Sequence, residues 1–76
     1  MVKTADIDTK LLDDAIERSG LRTSYISEKL GITRQAFDRK RKGFTAFRQS
    51  EVYVMCDLLK LNDEQGNEIF FPHKLG

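Results

Sequence analysis

One cysteine, one proline, one histidine and no tryptophan in 76 residues remove several kinds of protein from consideration. Cys56 alone cannot close an internal disulfide, which fits a reducing compartment. One histidine and one cysteine fall short of the three or four ligands of an ordinary zinc site, so no metal is expected. No apolar run approaches the ~20 residues of a membrane span, so no membrane association is expected. The first residues, Met1-Val2-Lys3-Thr4-Ala5-Asp6, have no apolar stretch of the signal-peptide kind, and the expected location is cytoplasmic. No convergent polar constellation suggests a catalytic pocket; neither an enzyme nor a small-molecule cofactor is expected.

The apolar share is 39%, about 30 side chains, enough for one core in a single domain spanning 1–76. A chain this small buries only roughly 60% of its unfolded surface, so modest stability is expected. The net charge of +1 conceals a strong asymmetry. Residues 1–33 are nearly balanced and residues 49–76 are acidic. Between them, Arg34, Arg39, Lys40, Arg41, Lys42 and Arg48 face one acid, Asp38. Such a concentration suits a polyanion, although a solvated basic helix face has the same composition.

Hydrophobic spacing predicts five helices and no strand. Ile7, Leu11, Leu12, Ala15 and Ile16 form one stripe of a first helix, with Asp6 or Asp8 as N-cap and Gly20 as its left-handed end. Thr23 to Leu30 reads as a short second helix with Ile26 and Leu30 inward, Ser27 small between them, Tyr25 partly buried and Gly31 as its stop. Thr33 caps a third helix, Arg34 to about Lys42, which contains only Ala36 and Phe37 as apolar residues and ends at Gly43. At least one of Phe44 and Phe47 should tuck inward. A fourth helix, about Arg48 to Leu59, carries the stripe Val52, Met55, Cys56 and Leu59. Asn62 then caps a fifth, about Asp63 to Ile69, despite Gly66. Phe70-Phe71-Pro72 close the domain and residues 73–76 read as a frayed tail containing His73.

The segment Ile26 to Phe37 has the pattern of a helix-turn-helix, spanning about 23–42 with the basic run that follows. Gly31 stands where a tight turn needs positive φ, Ile32 and Phe37 plug the angle between two helices, and Thr33 caps the second of them. Leu30-Gly31-Ile32-Thr33-Arg34, followed by Arg41-Lys42-Gly43, is similar to the Xre/Cro group of phage-type transcriptional regulators. More narrowly, DTKLLDDAIERSGLRTSYISEKLGITRQAF and SEVYVMCDLLKLNDEQGNEIFF resemble the short modulator-of-repression antirepressors of lactococcal temperate phages. The resemblance covers roughly residues 7–70. It implies an all-α, five-helix domain of the Cro/repressor N-terminal type, a role in a lysis–lysogeny switch, and the cytoplasm of a bacterial host. Two departures stand out: Lys40 occupies a position that is usually apolar, where its stem would snorkel, and Thr23 stands where many members have glutamine.

On a groove-reading model, Arg34 pairs with guanine and Gln35 with adenine, with Asp38 and Arg39 one turn on; Asp38 serves equally to orient Arg39. Thr23, Ser24, Thr33, Lys40, Arg41, Lys42 and Arg48 are the phosphate candidates, with Arg41 and Lys42 reading equally as solvated charge. On the antirepressor model, the partner is a CI-type repressor. The candidate contacts are Asp13, Asp14 and Glu17 on the first helix and Asp63, Glu64 and Glu68 on the fifth, two acidic faces that also read as plain solvated surface. The alternative is a standalone Cro-like repressor on double-stranded operator DNA. Any dimer is expected to form through the helical core; the fifth helix and Phe70-Phe71 are either its surface or the lid of the monomer's core.

Overall fold

The computed structural model describes residues 6–72; the tail at 73–76, with His73, lies outside them. Five helices follow one another: α1 Thr9–Ser19, α2 Thr23–Leu30, α3 Arg34–Arg41, α4 Gln49–Leu58 and α5 Asp63–Phe70. No strand occurs among the described residues, and the β-prone Val52-Tyr53-Val54 lies inside α4. The radius of gyration, 11.5 Å, is that of a folded chain of about this length.

Local chemistry sets the helix ends. The Asp8 carboxylate accepts from the Leu11 N–H at 3.0 Å and caps α1; the Thr33 hydroxyl accepts from the Ala36 N–H at 3.0 Å and caps α3. At α5, Asn62 and Gln65 form a reciprocal capping box, with bonds of 2.8 and 3.0 Å. Gly31, at φ +73°, ends α2 so that the Ile32 N–H can reach back to the Ser27 carbonyl at 3.1 Å. This closure turns the chain from α2 into α3 within three residues.

Leu12, Ala15, Ile16, Ile26, Phe37, Met55, Leu59, Ile69 and Phe70 form one buried cluster to which all five helices contribute. α1 packs on α3 and α5, α2 on α3 and α4, and α4 on α5. Phe47 tucks inward and joins two other rings edge-on: 6.4 Å from Phe37 and 5.5 Å from Phe70. Edge-to-face pairs of this kind contribute about 0.5–1.5 kcal/mol each beyond burial. Gly66 has a packing role rather than a turn role. A Cβ there would stand 2.9 Å from the Cys56 Sγ, so the glycine lets α5 approach α4 closely.

Some expectations need correction. Leu11, on the α1 stripe, is 37% exposed, and Ile7 precedes the helix because Asp8, not Asp6, is the cap. Tyr25 is exposed, with the Lys29 ammonium 5.4 Å from its ring centre. Cys56 is half-buried; its burial, and then the charge of Asp63, push the thiol above its ordinary pKa. Phe70 is a lid residue at 4% exposure, whereas Phe71 beside it is 40% exposed.

Candidate functional site

α3 is the least apolar helix of the chain, and three anchors hold it in place. Phe37 is fully buried in the core. Lys40, one turn further on the same inward face, is 8% exposed; its Nζ donates to Glu51 Oε1 and to the Ala46 carbonyl, each at 3.0 Å. Arg41 donates to Asp13 on α1 at 3.1 Å and to Asp38 within α3 at 3.0 Å. One anchor is apolar and two are ionic, and together they tie α3 to α1, to the following loop and to α4.

Glu51 completes this arrangement, although it was not among the residues singled out from the sequence. It is 6% exposed, and its Oε1 also accepts from the Arg48 N–H at 2.8 Å, at the start of α4. Burial pushes its pKa up. The Arg48 N–H bond, the Lys40 bond and charge, and the Arg48 charge together outweigh burial and hold the carboxyl below its ordinary value. For Arg41, burial pulls the pKa down, and the bonds and charges of Asp38 and Asp13 more than restore it.

The basic run therefore divides in two. Lys40 does not snorkel to solvent: its ammonium points inward to an ion pair, and that geometry leaves it no reach to a phosphate. Asp38 orients Arg41 rather than Arg39. Arg41 is half-buried between two carboxylates, so its charge is largely answered within the chain. Arg34, Gln35, Arg39 and Lys42 are exposed, and none takes part in an ion pair among the described residues. Arg48 is exposed beside Glu51, whose carboxylate feels its charge. Thr33, exposed, uses a lone pair for its cap, and its O–H is left to donate outward. Thr23 is half-buried and Ser24 exposed at the start of α2.

The outward side of α3 and its preceding turn thus presents two guanidiniums, an ammonium, a carboxamide and a hydroxyl, all donors and three of them cationic. Such a surface can hold a polyanion and can donate in pairs to flat acceptor edges.

The acidic candidates are also exposed, but they are not equivalent. Asp13 is bonded to Arg41, whereas Asp14 and Glu17 on α1 and Asp63, Glu64 and Glu68 on α5 form no ion pair among the described residues. No cluster of side chains able to hold a metal ion occurs among the described residues, and no described helix is long and apolar enough to cross a membrane.

Fold and site together define, among the described residues, an all-helical protein of five helices whose α3 presents a donor-rich, cationic outer side. No family model, curated protein or solved structure matches the chain.

Proposed function

We propose that the chain is a regulator in a phage-type genetic switch. In this reading α2, the Gly31 turn and α3 form a Cro-type helix-turn-helix that contacts DNA, and the protein acts as an antirepressor on a CI-type repressor in the cytoplasm of a bacterial host. The observation that carries the DNA contact is the division of α3. Phe37, Lys40 and Arg41 secure it, while Arg34, Gln35, Arg39 and Lys42 face outward with no ionic commitment. Arginine and the glutamine carboxamide are the side chains whose paired donors and acceptors match guanine and adenine edges in the major groove. Lys42, Thr33, Ser24, Thr23 and Arg48 then lie against phosphates.

The antirepressor role is supported by the sequence resemblance and by the unpaired acids on α1 and α5. A repressor's DNA-binding surface is basic, and a partner that covers it needs exposed carboxylates. Standalone repression on operator DNA is the second reading, and the free donors of α3 favour it. A single module of this size buries roughly 600–1,000 Å² on DNA, so the lone chain should bind an operator weakly.

One experiment separates the two readings. The chain is mixed, without DNA, with the DNA-binding domain of its cognate CI-type repressor and run on a sizing column. A stoichiometric complex at micromolar concentration is expected. Separate elution, with competition for operator DNA instead, would leave standalone repression as the function.

A further inference from the structure

A second surface uses no residue of α2, α3 or the turn between them. Leu21 follows α1, Leu58 ends α4, and Leu61 precedes α5; all three are half-buried against the core and, with Ser19 and Gln65, line one groove of about 460 Å³. Arg18 and Lys60 are exposed on the same groove, and neither forms an ion pair among the described residues. The groove continues between α1 and α5, where Arg18 and Leu61 also line its next section, and reaches the exposed Leu11, with Glu68 at that end. From Leu11 to Arg18 is about 10 Å along α1, two turns of a helix.

Lys60 supplies an independent reason to regard this surface as more than an unfilled crease. Its φ is +56°, and it is the only non-glycine residue with positive φ among those described. Gly20, Gly31 and Gly43 occupy the corresponding left-handed positions after α1, α2 and α3. The end of α4 closes in the same way, with the Lys60 N–H to the Asp57 carbonyl at 3.3 Å and the Leu61 N–H to the Cys56 carbonyl at 2.9 Å. Glycine would adopt that backbone with less strain. A cation that served only the carbonyl end of α4 could sit in the last turn of the helix without any strain. The lysine is held where its side chain reaches the leucine groove.

We infer that this groove docks an acidic amphipathic helix of a protein partner, with leucine-sized side chains on Leu21, Leu58 and Leu61 and carboxylates on Arg18 and Lys60. Helix-in-groove recognition uses apolar anchors three or four residues apart. Cations set beside the groove's leucines select the sign of the flanking charge. The preference is opposite to that of the acidic faces of α1 and α5, and the groove shares only Glu68, at its far end, with them, so the inference does not rest on the DNA or antirepressor reading.

The test uses the full chain and a labelled 16-residue helical peptide with leucines on one face and glutamates beside them. Two controls replace the glutamates by lysine or the leucines by serine. Fluorescence anisotropy should show the glutamate peptide binding at least about tenfold more tightly than either control, with methyl NMR shifts at Leu21, Leu58 and Leu61. Lys60→Gly should weaken binding about tenfold while raising the melting temperature by a few degrees, because it relieves the left-handed strain. Arg18→Glu should weaken it as much. Equal binding of the glutamate and lysine peptides would overturn the inference. So would a Lys60→Gly variant that changes only the melting temperature, or leucine methyls that shift with the chain's own concentration rather than with peptide.

Discussion

Lys40 and Glu51 stand 3.0 Å apart in the interior, eleven positions apart in the sequence, and join the end of α3 to the start of α4. The carboxylate oxygen that receives the ammonium also receives the N–H of Arg48, the N-cap residue of α4, so one atom caps one helix and neutralises another. α3 has little apolar surface to hold it down, and this pair supplies what the aliphatic contacts do not.

Removal of either partner should therefore be severe. Glu51→Ala leaves a buried ammonium without its counter-ion, and Lys40→Met leaves a buried carboxylate; each should cost about 3–5 kcal/mol in urea unfolding. The double variant Lys40→Met/Glu51→Leu should cost less than the sum of the two. Its recovery should be incomplete, because the Arg48 N–H and the Ala46 carbonyl also lose their partners. Additive losses would show that the pair is not coupled.

The same carboxylate sets an acid limit. Its folded pKa lies below the ordinary value of 4.5, so ionised Glu51 favours the folded state. Its contribution is fully present above the unfolded pKa and is lost as pH falls below 4.5 toward the depressed folded value. Melting temperature should decline through that window, and Glu51→Gln should flatten this part of the decline in a pH series.

Two glycines should fail for different reasons. Gly31→Ala meets no atom within 4 Å and carries only the penalty of φ +73°, about 1–2 kcal/mol; Gly31→Val should cost more. Gly66→Ala has no such penalty but drives a Cβ to 2.9 Å from the Cys56 Sγ, and should cost about 1–3 kcal/mol. Cys56→Ala should rescue Gly66→Ala and leave Gly31→Ala unimproved in parallel thermal melts.

On α3, Arg34→Ala and Gln35→Ala should leave the melt unchanged and each cost about 1–3 kcal/mol of DNA binding at one base position. Lys42→Ala should weaken all duplexes alike and reduce the salt slope by about one unit. Equal effects of all three on specific and random duplexes would remove base reading from this helix.

Reversal of charge on the acidic faces must spare Asp13, which is bonded to Arg41. Asp14→Lys with Glu17→Lys should leave the melt within a few degrees while slowing association with the repressor domain and reducing its salt dependence. Unaltered association would place the repressor contact elsewhere, with Asp63, Glu64 and Glu68 next to be reversed.

The helices were legible because their ends are written in local chemistry. Asp8, Thr33 and Asn62 cap, Gly20 and Gly31 stop, and each acts within four residues of itself. The pairings across the fold were not legible. Lys40 sits in a run of cations and looks like surface, and nothing local says that Glu51 will meet it. The available signal was helical period, since Lys40 falls three residues after Phe37 and so shares its inward face. Leu11 shows the converse: its place on the α1 stripe promised burial, but the neighbouring elements leave that edge open. Likewise, the spacing within α3 could not say which of Arg39 and Arg41 would take Asp38, because the choice depends on Asp13 from another helix.

The division of α3 into a held side and an open side also bears on how such a protein can change over generations. Arg34, Gln35, Arg39 and Lys42 take no part in the ion pairs and core contacts that fix the helix, so mutations at these four positions can alter what the surface recognises while the scaffold keeps its stability. Phe37, Lys40 and Arg41 have no such freedom, because each is answered by a residue on another element. On the proposed reading of α3, changes at the first four positions would alter what is recognised while the helix stays where it is.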